Sequence, residues 1–188
     1  MARHGGRRED LTEAATGYVL AHGLIGLSLR PLAAALGTSD RMLLYHFEDK
    51  DDLVVAVLRS AIERGLADLR AMPPSPDVRR CVHDLWDVSK RGRLERCQRL
   101  YVEASALGLF GQQPYADVVR RANEQWVEAV GGVLAAAGCP QRRLRRATYL
   151  LNAAFMGFQL DLPLDQEAAD LRRGVEDVAG AVAAIAAG

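Results

Sequence analysis

Residues 28–47, SLRPLAAALGTSDRMLLYHF, decide the fold of this chain. Pro31 falls in the first turn of a short helix, where its missing N–H costs little. Gly37 ends that helix, because glycine tolerates the left-handed conformation of a tight turn. Ser39 can then cap a second helix that runs through Phe47. Two short helices joined at a glycine have the spacing of a helix-turn-helix, and this stretch is predicted to form one.

The second of these helices has two chemically different faces at about 100° per residue. Its apolar side, which we expect to face the core, carries Leu43, Leu44 and Phe47. Arg41 and Tyr45 lie at i and i+4 on the opposite side, flanked by Met42 and His46. Arginine suits a guanine edge, a hydroxyl or imidazole suits phosphates or bases, and a thioether suits a thymine methyl. This side of the helix therefore predicts DNA binding.

Helical periodicity continues on both sides of this stretch. Apolar residues recur at three- and four-residue spacing before it, over 7–22, and after it, over about 50–70. Prolines then break the pattern, and five more helices are predicted at roughly 77–89, 92–107, 114–137, 141–160 and 167–187. Aromatic residues make up only 6%, and no segment is typical of a strand. The predicted fold is all-α with about nine helices, an N-terminal three-helix bundle containing the helix-turn-helix and a C-terminal helical domain.

Composition narrows the class of protein. Basic and acidic residues both number 24, and a net charge of zero argues mildly against nucleic acid, although a basic surface can be local. Cys81, Cys97 and Cys139 form no C-x-x-C pair, so neither a disulfide framework nor a metal or cofactor site is expected. The sequence lacks an apolar leader and any apolar run of roughly 18 residues, so we expect a cytoplasmic protein without membrane contact. Catalytic motifs such as G-x-S-x-G and H-E-x-x-H are missing, and an enzyme is not expected.

Several residues together resemble the N-terminal signature of the TetR (tetracycline-repressor) family: Leu32-Ala33, Leu36-Gly37-Thr38-Ser39, Leu43, Tyr45-His46-Phe47, Lys50 and Leu53. The similarity spans residues 11–58. It implies a homodimer that binds DNA through the helix-turn-helix and is released by a small ligand. It also implies a DNA-binding domain at 1–48 and a ligand-binding and dimerisation domain at 49–188, connected by the helix at about 50–70.

The resemblance also assigns DNA contacts. The expected set is Ser28, Arg30, Ser39, Arg41, Met42, Tyr45, His46 and Lys50. Within it, His46 could instead be a structural histidine, and Lys50 could be an ordinary surface residue. The family commonly has an aromatic residue where Leu44 stands and often glycine where Arg41 stands, so the DNA sequence is not predictable from relatives. Further phosphate contacts, or simply a solvated terminus, are equally consistent with Arg3, Arg7 and Arg8.

The C-terminal helices offer candidates for a dimer interface and a ligand pocket. Apolar stripes on the last two helices predict a four-helix dimer seam, with internal packing as the alternative. The interface candidates are Leu151, Phe158, Leu171, Val175, Val178 and Val182. A pocket is implied by the resemblance, for an apolar or aromatic effector, although each aromatic residue could instead fill the core. The pocket candidates are Trp86, Tyr101, Phe110, Tyr115, Trp126, Asn152, Phe155 and Gln159.

The predicted function is a ligand-responsive DNA-binding transcriptional regulator, acting as a repressor that a small molecule releases from a palindromic operator. The alternative is a helical adaptor of the same fold that binds protein rather than DNA. Zero net charge and the departure at Leu44 keep this alternative open. Loss of DNA affinity on replacing Arg41 and Tyr45 separates the two, because an adaptor has no DNA binding to lose.

Overall fold

The computed structural model describes residues 3–161 and 169–188, and all the regular secondary structure in these ranges is helical. The nine helices of these ranges are α1 (Arg3–His22), α2 (Leu29–Ala35), α3 (Asp40–His46), α4 (Lys50–Arg70), α5 (Val78–Ser89), α6 (Gly92–Leu109), α7 (Tyr115–Ala136), α8 (Gln141–Asp161) and α9 (Ala169–Ala187). The predicted all-α fold is confirmed. Across the described ranges, no helix combines the length and the apolar character that crossing a membrane requires.

One helix boundary differs from the prediction by more than two residues. α1 begins at Arg3 rather than at residue 7, because no proline among the preceding residues interrupts its backbone hydrogen bonding. The last helix, predicted from residue 167, is described from Ala169, and residues 167 and 168 lie outside the described ranges. The other boundaries fall within two residues of the predictions.

Local chemistry sets the turn between α2 and α3. Gly37 has a φ of +64°, the left-handed conformation that glycine adopts most readily. The Thr38 N–H donates to the Ala33 carbonyl at 2.9 Å and closes the end of α2. Ser39 caps α3, and its Oγ accepts a hydrogen bond from the Met42 N–H at 3.2 Å. The glycine and the serine therefore determine where α3 begins, as predicted.

The chain forms two compact units, and the first contains the described residues up to Gly65 together with Glu95–Asn123. Here α1, α2 and α3 contact one another and share one apolar core with residues of α4, α6 and α7. Its largest fully buried side chains are Val19, Leu32, Leu43, Phe47, Leu53, Val54 and Val57. Burying one such side chain stabilises a fold by about 1.5–3 kcal/mol, and this core holds the helix-turn-helix in place.

The second unit contains Leu66–Leu94 and the described residues from Glu124 onward. In it, α9 packs against both α5 and α8. Its fully buried side chains include Leu69, Val82, Leu134, Leu151 and Val182. α8 and α9 approach closely at Gly174. A Cβ placed on this residue would lie only 3.0 Å from Cζ of the Phe158 ring. The small residue at this position therefore permits the contact.

Two helical glycines provide a matched test of packing. A Cβ on Gly108 of α6 would lie 3.1 Å from backbone atoms of Ala116 in α7, whereas one on Gly132 would have no neighbour within 4 Å. Alanine is favoured over glycine inside a helix by about 1 kcal/mol, so Gly132→Ala should raise the free energy of unfolding. Gly108→Ala should lower it, because two backbones must separate. Urea unfolding measures the free energy of unfolding of both variants. If both substitutions raise it, α6 and α7 can separate at Gly108 without a loss of stability.

Candidate nucleic-acid interface

The helix α3 turns one side into the core of the first unit and the other to solvent. Leu43 and Phe47 are buried, with 0% and 1% of their surface exposed, as predicted. Met42, Leu44 and Tyr45 are exposed by 43%, 47% and 67%. We call the exposed side the recognition face, and its members are Arg41, Met42, Leu44 and Tyr45.

Leu44 belongs to the recognition face, and the prediction that it packs in the core is wrong. α3 has seven residues and meets α1 and α2 along a narrow line. Leu43 and Phe47 are separated by about 40° around the helix axis, whereas Leu44 is about 100° from Leu43. A core contact as narrow as this one leaves Leu44 half exposed.

The other predicted DNA contacts lie at the ends of neighbouring elements. Exposed positions at the starts of α2, α3 and α4 are occupied by Ser28, Arg30, Ser39 and Lys50. Ser28 has extended backbone angles, and its side chain makes no capping hydrogen bond. His46 is half-buried, and its ring meets the ring of Tyr45 edge-on, with 5.1 Å between centroids. The structure thus supports the exposure of Ser28, Arg30, Ser39 and Lys50, and the contact of all these candidates with DNA stays a prediction.

Arg8 of α1 makes a contact that the sequence pattern did not reveal. Its Nη1 donates to the backbone carbonyl of His46 and to Asp52 Oδ2, both at 2.9 Å, and its Nη2 donates to Asp52 Oδ1 at 2.8 Å. The guanidinium also lies 4.6 Å from the centroid of the Phe47 ring. We call this arrangement the Arg8 clamp. It joins α1 to the end of α3 and the start of α4, so Arg8 is engaged inside the unit rather than extended toward phosphates.

Charge stabilises the Arg8 clamp at neutral pH. The hydrogen bond from Arg8 lowers the pKa of Asp52 below its ordinary value of 3.8, although burial partly opposes this shift. The same hydrogen bond raises the pKa of Arg8. Asp52 Oδ2 also accepts from the Glu48 N–H at 3.1 Å, which ties the segment between α3 and α4 to the clamp. Both charged groups therefore position the recognition face without belonging to it.

Glu103 of α6 makes a second contact that was not predicted. Its Oε2 accepts hydrogen bonds from the backbone N–H groups of Leu24 at 2.6 Å and Ile25 at 2.9 Å. These residues form the turn between α1 and α2. Gly23 in the same turn has a φ of +87°, and a Cβ there would lie 3.1 Å from the Glu103 carboxylate. The carboxylate therefore holds the entry to the helix-turn-helix against α6.

Charges around the recognition face are balanced. The exposed basic residues of positions 28–50 are Arg30, Arg41 and Lys50, and the exposed acidic ones are Asp40, Glu48 and Asp49. Two of the acids serve helix starts, because Asp40 accepts from the Arg41 N–H at 2.9 Å and Asp49 accepts from the Asp52 N–H at 2.8 Å. An acidic side chain is favourable at the positive end of a helix. The surface therefore presents only a few cations to a polyanion.

Within the first unit, the predicted ligand-binding residues Tyr101, Tyr115 and Phe110 have different surroundings. Tyr101 borders a cavity of about 10 Å³, which has room for a single water molecule. Tyr115 is buried in the core of this unit. Phe110 stands in the turn after α6 and is 84% exposed, and its role in ligand binding stays a prediction.

Within the second unit, predicted ligand-binding residues form a packed aromatic cluster. Trp86 meets Phe155 edge-on at 5.2 Å and Phe158 at 5.7 Å between centroids, and the Lys90 ammonium lies 5.5 Å from the Trp86 ring centroid. Trp126 packs against the same core. Two half-buried polar candidates stand on α8, Asn152 and Gln159. In the part of the chain that the structure describes, no cluster of His, Cys, Asp or Glu is arranged to hold a metal.

The predicted dimer-interface residues point mainly into the second unit. Leu151, Val175 and Val182 are exposed by 3% or less and belong to its core, so these three do not line a seam with a second copy. These side chains pack inside the second unit, where α9 contacts α5 and α8. This is the internal packing that the sequence left open as the alternative to a dimer seam. The remaining candidates are partly buried and pack against the same core, Phe158, Leu171 and Val178. Pairing through other surfaces of α8 and α9 stays a prediction.

The helix-turn-helix lies in a segment that matches a known family. Residues 11–57 match the sequence profile of "Bacterial regulatory proteins, tetR family". The match coincides with the segment predicted from the motif residues, and it contains the whole recognition face. Among curated proteins, no sequence matches this chain.

Solved structures share the fold over nearly the whole chain. A transcriptional regulator from Rhodococcus sp. Rha1 has a TM-score of 0.74 at 21% identity, over 93% of this chain and 95% of its own. The multidrug binding protein EbrR in complex with imidazole has a TM-score of 0.65 at 27% identity, and the match covers 96% of this chain and 94% of EbrR. EbrR in complex with ethidium has a TM-score of 0.66 at 26% identity, and the match covers 96% of this chain and 98% of EbrR. The C-terminal helices therefore share this fold as well.

The Arg8 clamp gives a pH-dependent test. Because the pKa of Asp52 is lowered in the folded protein, its ionised form stabilises the fold at neutral pH, and this contribution is lost as the pH falls below about 3.8. Near neutral pH, Asp52→Asn should lower the free energy of unfolding by about 1 kcal/mol, allowing for partial exposure of the pair. Urea unfolding curves of the two proteins should converge in acid. Asp10→Asn, on the exposed side of α1, is the control, and a gap that persists unchanged into acid would contradict this account.

Proposed function

We propose that this chain, whose residues 11–57 match the tetR family of bacterial regulatory proteins, regulates transcription by binding DNA through α3. The observation that carries the proposal is the recognition face, which exposes three large apolar side chains and an arginine on a helix fixed from behind. An exposed apolar cluster on a rigid element marks an interaction site. An α-helix also fits the width of the DNA major groove.

The recognition face carries groups that suit base edges. Arg41 can donate two hydrogen bonds to a guanine, and the Tyr45 hydroxyl can bond to a base or a phosphate. Arg30 and Lys50, at the starts of adjacent helices, would contact phosphates on either side, with Ser28 and Ser39 as shorter polar contacts. His46 would then serve mainly to support Tyr45, because its ring is half-buried against it.

A dimer would present two such helices to one site. Two recognition helices related by a two-fold axis contact half-sites about one DNA turn, or roughly 34–36 Å, apart. We place the pairing on α8, whose exposed side carries an uninterrupted set of small and apolar residues, Leu150, Ala153, Gly157 and Leu160. Small residues permit the close approach that helix pairs in such seams require. The expected operator is therefore palindromic.

A small effector would bind the C-terminal helices and release the operator, which makes the protein a repressor. The related protein EbrR is a multidrug binding protein and has been solved with imidazole and with ethidium. In this chain, the cluster of Trp86 and Phe155 in the second unit is the group with matching chemistry. It favours an apolar or aromatic effector, for which these side chains would have to rearrange and open a pocket.

Glu103 would transmit a movement of α6 to the DNA-binding helices. It stands on α6, and it holds the turn that precedes α2. A shift of α6 would move this turn and with it the recognition face. A shift of α4, which carries Asp52 of the Arg8 clamp, would also move the recognition face. Coupling of this kind is reciprocal, so DNA would also weaken effector binding.

Selection of bound fragments from sheared genomic DNA of the source organism tests the function. The wild type should enrich an inverted repeat, and Arg41→Ala/Tyr45→Ala should lose the enrichment because the base contacts are removed. Arg120→Ala/Arg121→Ala removes two exposed cations of α7 and is the matched control, which should retain it. If the wild type enriches nothing over a range of salt concentrations, the adaptor function is favoured instead.

Amide hydrogen exchange tests the role of Glu103. Glu103→Ala should speed exchange of the Leu24 and Ile25 amides by about tenfold or more, the value of a hydrogen bond to a charged group. It should also weaken DNA binding, although the recognition face is unchanged. Glu63→Ala removes an exposed carboxylate of α4 and should do neither. If the two variants have the same exchange rates at Leu24 and Ile25 and the same affinity for DNA, Glu103 does not couple α6 to the DNA-binding helices.

A further inference from the structure

Leu44 is an apolar side chain held at the surface by the same helix that buries Leu43. It is 47% exposed on a seven-residue helix, on the opposite flank of the recognition face from Met42, which is 43% exposed. Its position is fixed, because Leu43 and Phe47 lock the opposite side of α3 and the Arg8 clamp holds its last carbonyl. A leucine held rigidly in solvent gains free energy only when another apolar group covers it.

The apolar group that DNA offers in its major groove is the thymine 5-methyl. Leu44 has no donor or acceptor, so it cannot bind a phosphate or pair with the polar edge of a base. Resting on the proposed DNA-binding function, we propose that Leu44 is a specificity-determining residue that recognises a thymine methyl group. The half-site therefore contains a thymine opposite Leu44, in addition to the guanine that Arg41 would contact.

The balance of charge strengthens the case for apolar recognition. Exposed cations and exposed carboxylates are equal in number around the recognition face. Contacts with phosphates are therefore few, and a larger share of the affinity has to come from the base edges. Leu44 lies on the flank of the recognition face, beside Arg41 and about 100° from Tyr45, so it would contact a base pair different from the one near Tyr45.

Removal of single methyl groups from the DNA tests this inference. In the selected operator, each thymine of one half-site is replaced in turn by uracil, and affinity is measured by fluorescence anisotropy. At one position, the wild type should lose about fourfold in affinity, which corresponds to one buried methyl group. Leu44→Ala should bind the unmodified operator more weakly and should show no further loss at that position, while keeping the sensitivity of the wild type elsewhere.

Leu109→Ala makes the same truncation at a leucine that is 87% exposed on α6, and it should match the wild type at every position. Thermal unfolding of both variants checks that the fold is retained. An identical uracil profile for Leu44→Ala and the wild type overturns the inference, as does a half-site without any methyl-sensitive thymine. If no DNA is enriched at all, the proposed function fails with it, so the two failures are distinguishable.

Discussion

The burial of Leu43 and Phe47 is the constraint on which the recognition helix depends. A helix of seven residues is too short to persist in water, where isolated helices below about 12–15 residues are marginal. α3 is helical because these two side chains, one turn apart, are completely enclosed by the first unit. Because the buried side chains prevent α3 from rotating about its axis, the opposite side of the helix keeps one orientation toward solvent. The chemistry of Arg41, Met42, Leu44 and Tyr45 is therefore presented in a fixed arrangement, which recognition of base edges requires.

Two charged side chains extend this constraint to the ends of the helix-turn-helix. Helix ends leave backbone groups without intrahelical partners, and a buried or oriented end needs substitutes for them. Arg8 supplies a donor to the carbonyl of His46 at the end of α3, and Glu103 supplies an acceptor to the Leu24 and Ile25 N–H groups before α2. Each contact comes from a different helix of the first unit. The orientation of the recognition face consequently responds to the position of α1 and of α6, not to the apolar core alone.

Sequence patterns were sufficient for the features that neighbouring residues determine. The helices follow from apolar periodicity, and the turn at Gly37 and the cap at Ser39 follow from their own conformational preferences. The patterns failed where tertiary packing decides. A helical wheel does not give the width of a core contact, and Leu44 was therefore assigned to the wrong side. The partners in the Arg8 clamp and the Glu103 contact are 44 and 79 residues apart, beyond any local signal. The apolar stripe of α9 has the same periodicity whether it packs against a second copy or inside its own chain, so the sequence pattern could not distinguish the two.

Balanced charge, which argued mildly against DNA at first, is consistent with a selective DNA-binding surface. Non-specific affinity for DNA comes from phosphates and grows with the number of cations that contact them. Around α3, the acidic residues Asp40 and Asp49 stabilise helix starts and at the same time offset Arg41 and Lys50. Such a surface should bind random DNA weakly. Discrimination then depends on the groups that meet base edges, so a small number of rigidly held side chains can provide it without a strongly basic protein.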